Sequence, residues 1–224
     1  MMQIAPGVYS LDQSTGGHVH AFLLDDGTEL TLIDTLFDTD AGRIIDRIGS
    51  LGRSAKDLKH IVLTHAHRSH LGGLATLKGW SDATVYSHAW EADIIAGERT
   101  AQPVTPVPMR PLGTYWRVYY LQLGAALGRG KHPPCPVDAT LEDGDTVGPV
   151  RVLHTPGHTP GHLAFWWPER KVLFAGDAIA TYPTQHRDSL HRMAELDMEV
   201  LAVGHGDPIT AGAAVRVHSL VEDV

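Results

Sequence analysis

The chain of 224 residues has one cysteine, no run of five like charges and no long apolar stretch. Because Cys135 is alone, an internal disulfide is excluded, which favours a cytoplasmic location. No stretch approaches the roughly 20 apolar residues of a bilayer-spanning helix. The first residues also lack the charged and apolar parts of a signal peptide. We therefore expect a cytoplasmic protein with no membrane partner.

Basic residues are scarce as well. Lys and Arg number 18 against 26 Asp and Glu, which gives a formal net charge of −8. Nucleic-acid affinity depends on clustered Lys and Arg that meet phosphates, so we expect no nucleic-acid partner. With 43% hydrophobic and 20% charged residues, the composition is that of an ordinary globular protein. We predict a single domain over residues 1–224 that acts on a small-molecule substrate.

Proline breaks up one part of this predicted domain. Residues from about 97 to 138 carry seven prolines around an aromatic-rich helical segment, residues 114–127, and resemble an insertion into a compact scaffold. Its aromatic side chains would line an apolar pocket, pack as helix core or form a homodimer contact. The segment has no basic cluster suited to an anionic glutathione conjugate, which favours an apolar acyl or lactone substrate.

Histidine is abundant, with 15 residues, and three lie within one short stretch. The apolar run 61–63 predicts a buried strand, and His65, His67 and His70 follow it. His65 and His67 alternate with Ala66, so they project to the same side of an extended segment. Neutral imidazole is the commonest metal ligand among side chains. Gly72 and Gly73 then permit a close approach of the backbone.

Three further motifs come after predicted strands. Residues 155–162 read T-P-G-H-T-P-G-H, Asp177 follows Gly176, and His205 lies between two glycines. The two halves of the chain also share an order of elements: hairpin, Asp, helix, strand, His. Two such units can pack sheet against sheet with helices outside, which would bring both His-bearing strand ends to one edge.

The stretch 64–73 resembles T-H-x-H-x-D-H-x-G-G, a motif of the metallo-β-lactamase superfamily. The other motifs match that family in order and spacing over roughly residues 5–210. The resemblance implies an α+β fold, a four-layer αβ/βα sandwich of two mixed sheets packed face to face with helices outside. It also implies Zn²⁺, one or two ions, with iron as the alternative. The ligands it implies are His65, His67 and His158 for a first metal, His70 and His205 for a second, and Asp177 as the bridge.

The chemistry implied is hydrolysis of a small ester-like substrate, such as a lactone, ester, thioester or β-lactam, by metal-bound hydroxide. The candidate catalytic residues are Ser69, Asp177 and Tyr182. Tyr182 would donate from its phenol, although lactonases of the family carry their Tyr at the position of Ala180.

Ser69 is the one departure from the motif, since the family has a metal-binding Asp there. A serine hydroxyl is neutral, short and a poor ligand. Four alternatives stay open: two metals with a weakened second site, one metal at the first site, a silent binding form, or an introduced substitution.

A different class of enzyme fits some of the same residues. His65, His158 and Asp177 match the two-His, one-carboxylate set of the family's mononuclear iron persulfide dioxygenases. Near the motifs, Asp34 is expected to hold a metal-binding loop or to cap a helix. His18, His20 and His162 are expected to support ligands or to be exposed.

Overall fold

Two mixed β-sheets form the centre of the protein in the computed structural model, which describes residues 2–100, 132–179 and 187–222. The first sheet has seven strands, which pair in chain order: β1 (Met2–Ala5), β2 (Val8–Gln13), β3 (Val19–Asp25), β4 (Leu30–Ile33), β5 (Leu58–Val62), β6 (Thr84–Ser87) and β7 (Ala139–Thr140). Strands β1 to β4 pair antiparallel, and β4 to β7 pair parallel.

The second sheet has five strands: β8 (Thr146–Val147), β9 (Val150–His154), β10 (Leu163–Trp167), β11 (Val172–Gly176) and β12 (Val200–Val203). They pair in the order β12-β11-β10-β9-β8, and only β11 and β12 are parallel. The described α-helices are α1 (Thr15–His18), α2 (Gly42–Ser50), α3 (Arg68–Leu71), α4 (Leu74–Trp80), α5 (Ala89–Ile95), α6 (Arg187–Ala194) and α7 (Ala213–Glu222). Short 3₁₀ turns lie at Ala55–Asp57 and Pro168–Arg170.

Three hydrophobic cores separate the four layers. Alternate residues of β3 face opposite ways, so Phe22 points between the sheets and Leu23 points towards α2. Between the sheets, the rings of Phe22 and Phe174 lie 5.3 Å apart. The third core packs α6 and α7 on the outer face of the second sheet, with Met193 and Val217 buried. The predicted αβ/βα sandwich is therefore confirmed.

Both halves contain the predicted order of elements. In the first half, the hairpin β3–β4 is followed by Asp34, α2, the parallel strand β5 and His65. In the second, the hairpin β10–β11 is followed by Asp177, α6, the parallel strand β12 and His205. Each hairpin thus adds a parallel strand whose carboxyl end carries a histidine.

Some local predictions were wrong. The sequence pattern predicts a strand over residues 18–24, but His18 ends α1 with a φ of 56°, and the strand begins at Val19. The pattern also predicts a helix that opens over residues 71–77. In the structure, α3 ends at Leu71, the glycine pair follows, and the next helix begins at Leu74. Gly72 is confirmed as a close approach, since a Cβ there would collide with the carbonyl of Phe37. Strand β1 and helix α7 were not predicted.

The predicted insertion is only partly described. Its residues 101–131, with the aromatic segment, lie outside the described residues, so the single-domain arrangement and the homodimer contact stay predictions. Within the part of the chain that the structure describes, no helix has the length and apolar character that crossing a membrane requires.

Candidate metal centre

Four segments that follow strands supply the predicted ligands. His65 and His67 follow β5, and His70 lies in the short helix α3. His158 lies between β9 and β10, Asp177 directly follows β11, and His205 follows β12. The carboxyl ends of β5, β11 and β12 meet at one edge of the sandwich, so residues far apart in sequence become neighbours.

The first group brings three imidazoles and a carboxylate together. His67 Nδ1 lies 2.9 Å from His65 Nε2 and 2.9 Å from His158 Nε2. Asp177 Oδ2 lies 3.4 Å from His158 Nε2 and 3.8 Å from His65 Nε2. One ligand atom from each of these four residues lies within 4.8 Å of all the others. This is the spacing that ligands of one ion require.

The second group shares Asp177 with the first. His70 Nε2 lies 3.7 Å from Asp177 Oδ1, and His205 Nε2 lies 3.5 Å from Asp177 Oδ2. Ser69 is half-buried in α3, between His67 and His70 in sequence, and contributes no carboxylate. The structure therefore brings together all six residues that the sequence predicted as metal ligands, and their role as ligands stays a prediction.

Asp34 orients two of these histidines. Its Oδ2 accepts hydrogen bonds from His70 Nδ1 and from the Thr64 hydroxyl, both at 2.8 Å, and its Oδ1 accepts from the Thr64 backbone N–H. The Thr64 hydroxyl in turn accepts from His65 Nδ1 at 2.9 Å. These bonds hold the Nδ1 side of both rings and direct the Nε2 atoms of His65 and His70 to the centre. Asp34 thus fastens the segment that carries Thr64 and His70 and does not cap α2, which begins at Gly42.

His162 supports the residue that carries the shared carboxylate, Asp177. The ring is fully buried, its Nε2 accepts a hydrogen bond from the Asp177 backbone N–H at 3.1 Å, and its Nδ1 lies 2.8 Å from the Thr155 hydroxyl. His162 is therefore a positioning residue. Gly204 is required nearby, because a Cβ there would collide with the carboxylate of Asp177.

Glu91 was missed by the sequence analysis. It lies in α5 and is buried, with 1% of its surface exposed. Its Oε2 accepts a hydrogen bond from the Ala66 backbone N–H at 3.1 Å, and its Oε1 accepts from the Gly161 backbone N–H at 3.0 Å. One carboxylate thus ties the loop of His65 and His67 to the loop of His158. The sequence offers no signal for this contact beyond an acidic residue at the start of a helix.

The electrostatics of the two groups differ. Burial and the neighbouring imidazoles lower the pKa of His65 well below its usual value. Burial also acts to lower the pKa of His70, but the carboxylates of Asp34 and Asp177 outweigh it and raise this pKa to about 10. Asp177 is buried too, yet the facing histidines, His70 first, hold its pKa below the usual range.

A divalent cation fits this donor set. Imidazole nitrogens and a carboxylate are the ligands that zinc and non-haem iron take. Within the described residues, the buried His70 Nε2 makes no hydrogen bond, and once its proton is displaced it could coordinate a cation beside Asp177. Tyr182, the third candidate catalytic residue, lies outside the described residues.

Comparison with known proteins agrees with this geometry. A family model described as the metallo-beta-lactamase superfamily matches residues 14–221. Two curated relatives come from Bacillus subtilis (strain 168). YobT is 32% identical over 72% of this chain and 62% of its own length. YflN, described as a probable metallo-hydrolase, is 26% identical over 93% of this chain and 87% of its own length. A hydroxyacylglutathione hydrolase of Bdellovibrio bacteriovorus is 30% identical over 70% of this chain, which spans about half (47%) of that protein.

Solved structures give the same result. The metallo-beta-lactamase family protein TTHA1429 from Thermus thermophilus is 30% identical, with a TM-score of 0.68 over 97% of this chain and 79% of that one. TTHA1623, solved in a di-iron-bound form, is 28% identical with a TM-score of 0.68 over 94% and 98%. The chain therefore belongs to the metallo-beta-lactamase superfamily, a superfamily of metallo-hydrolases.

Proposed function

We propose that this protein is a zinc-dependent hydrolase of a small ester-like substrate, a class that includes esters, lactones, thioesters and β-lactams. The observation that carries the proposal is the convergence of ligand atoms of His65, His67, His158 and Asp177 within 4.8 Å, with His70 and His205 in a second group that shares the same carboxylate. When bound there, zinc would activate a water molecule and polarise the substrate carbonyl. The residues of the chain hold and orient the ions.

Three residues prepare the site for that chemistry. Asp34 and Thr64 fix the rings of His65 and His70 through their Nδ1 atoms, so no rotation is needed when an ion arrives. Asp177 is held ionised by the histidines that face it, so it offers a full negative charge to both groups. A preorganised and charged site of this kind favours a dication over a neutral ligand.

Substrate would approach the centre where its histidines are exposed. The side chains of His65 and His70 are fully buried and that of Asp177 is 6% exposed, whereas His205 is 27% exposed and His67 is half-buried. Each group therefore has one partly exposed histidine, and in the second group Ser69 precedes the buried His70. Three protein ligands and one water still complete a tetrahedral zinc, so the serine leaves this group able to bind an ion.

The relatives sharpen the choice of test substrates. The hydroxyacylglutathione hydrolases among them, 26% to 30% identical, support testing a thioester beside the lactone and apolar acyl substrates that the sequence favours. The di-iron form of TTHA1623 makes iron the alternative metal.

The experiment combines metal content with turnover. Protein purified without added metal is analysed for its elements, and the zinc-loaded and chelated forms are then assayed on chromogenic esters, thioesters, lactones and β-lactams. His158→Ala should lose turnover, while His218→Ala, which changes an exposed histidine of α7, should keep it. Turnover that needs zinc and His158 supports the proposal.

Other outcomes contradict it in distinguishable ways. A single iron without hydrolysis would favour the mononuclear dioxygenase. Bound zinc with no turnover of any substrate would favour a silent binding form. Absence of metal after reconstitution would refute a metal centre altogether.

A further inference from the structure

A second cluster of possible ligands lies beside the metal centre and is not part of it. His18, His20 and Asp207 each place one nitrogen or oxygen within 4.8 Å of the other two. The rings of His18 and His20 are 5.1 Å apart, and His18 Nε2 lies 3.9 Å from Asp207 Oδ1. None of these residues belongs to the two groups around Asp177.

His20 is the buried member of the cluster. Only 3% of its surface is exposed, and its Nδ1 lies 2.8 Å from the Ser10 hydroxyl. In the tautomer with the ring proton on Nδ1, His20 donates to that hydroxyl and the lone pair is on Nε2. This Nε2 is buried and has no hydrogen-bond partner among the described residues, and one ring nitrogen of His20 lies within 4.8 Å of donor atoms of His18 and Asp207. A buried nitrogen in this state needs a partner, and a cation would satisfy it.

The backbone holds His18 and Asp207 in place. His18 adopts a φ of 56°, a left-handed conformation that is costly for a residue with a side chain. Its carbonyl accepts a hydrogen bond from Gly206 N–H at 3.2 Å, and the His20 N–H donates to the carbonyl of Gly204 at 2.8 Å. The end of α1 is thereby fastened to the loop that carries His205 and Asp207.

The chemistry of the cluster selects a cation. Two imidazoles and one carboxylate form a ligand set that takes zinc or a similar divalent transition metal, with water in the remaining position. An anion would be repelled by Asp207. Burial, followed by the neighbouring His18, lowers the pKa of His20, so its ring is neutral at pH 7 and available as a ligand.

We propose that His18, His20 and Asp207 form an additional divalent-metal site, held by His18 Nε2, His20 Nε2 and a carboxylate oxygen of Asp207. The side chains of His18 and Asp207 are 48% and 90% exposed, so an ion here exchanges with solvent more readily than one at the buried centre. The proposal does not depend on hydrolysis, because it concerns residues outside the centre around Asp177.

The test counts bound Zn²⁺ by equilibrium dialysis and elemental analysis in four proteins: the unchanged chain, His18→Ala, Asp207→Asn and the control His218→Ala. None of the three variants changes a proposed ligand of the main centre, so we expect the same number of ions there in all four proteins. The unchanged chain and the control should each bind about one more ion per chain than the two cluster variants. Imidazole ¹⁵N spectra should show the His20 Nε2 signal shifting with Zn²⁺ in the unchanged chain and not in Asp207→Asn.

Equal ion counts in all four proteins would overturn the proposal, as would the same loss in His218→Ala. Asp207→Asn decides the matter if His18→Ala fails to fold, because Asp207 is 90% exposed and its replacement leaves the packing intact. Turnover is not the readout, so failure of this site and failure of the proposed hydrolase can be told apart.

Discussion

The two ligand groups share Asp177 but are built differently. In the first group, the Nε2 atoms of His65 and His158 each lie 2.9 Å from His67 Nδ1, and both loops that carry these histidines are fastened by Glu91. The distances to Asp177 are alike in the two groups: 3.7 and 3.5 Å for His70 and His205, and 3.8 and 3.4 Å for His65 and His158. The first group also has a carboxylate and three imidazole donors, whereas the second has a serine where the family motif carries an acid.

The protonation states of the two groups differ as well. His65 is held neutral, so an ion in the first group displaces no proton from it near pH 7. His70 holds a proton between two carboxylates, and an ion in the second group must displace that proton. We therefore expect the first group to bind metal more tightly and the second to limit how many ions the protein holds.

Removing the shared ligand should have the largest effect. Asp177→Asn deletes a negative charge that faces both groups, so the affinity of each for Zn²⁺ should fall by at least about a hundredfold. Chelator competition measures both constants, and Asp188→Asn, an exposed residue of α6, is the matched control. If only one group loses affinity, Asp177 does not bridge.

Restoring the acid should change one group only. Ser69→Asp adds a charge near His70 and His205, and the affinity of the second group should rise by about a hundredfold while the first stays unchanged. Elemental analysis should then find two ions where the parent holds fewer, and Ser69→Asn serves as the neutral control. Two tightly bound ions already present in the parent would show that the serine does not weaken this group.

Removing the Thr64 hydroxyl should weaken metal binding by the first group only. Thr64→Val removes the acceptor of His65 Nδ1 but keeps the bond between Asp34 and His70. The affinity of the first group should fall by about tenfold, and that of the second should hold. The control is Thr76→Val, which removes an exposed hydroxyl that donates to a backbone carbonyl. Equal losses in both groups would mean that Thr64 supports the fold rather than the ligand.

Acidity should affect the groups unequally. The pKa of His70 is raised to about 10 in the metal-free protein, so its proton stabilises the fold fully below its ordinary value of about 6.5 and this contribution is lost as pH rises through 10. Between pH 7 and 9 the affinity of the second group should therefore rise by about tenfold per pH unit, while His65 adds no such slope to the first. Stepwise constants measured at three pH values test this, and parallel slopes would contradict it.

Predictions from the sequence were most successful where they depended on neighbouring residues only. Alternation at His65 and His67, the glycines at 72 and 73, and the short apolar strands are properties of neighbouring residues. They led to the confirmed fold and to six candidate ligands that the structure places together. Boundaries failed where a special backbone conformation intervened, as at His18, whose positive φ delays the strand by one residue.

Contacts between distant loops could not be predicted. Glu91 accepts a hydrogen bond from the backbone N–H of Gly161, 70 positions away, and no residue pattern in α5 predicts that partner. Asp34 also had two compatible interpretations, and only its bonds to Thr64 and His70 decided between them.

By itself, the sequence determined the family, the layered fold and the residue types available for a metal, because strand periodicity and short motifs are encoded within a few residues. Tertiary structure alone decided which donors face one another, how Glu91 ties two loops together and why His20 meets Asp207. The physical reason is that these contacts form between loops at the ends of two packed sheets. Those loops are far apart in the sequence, so local sequence patterns do not predict which of their residues become neighbours.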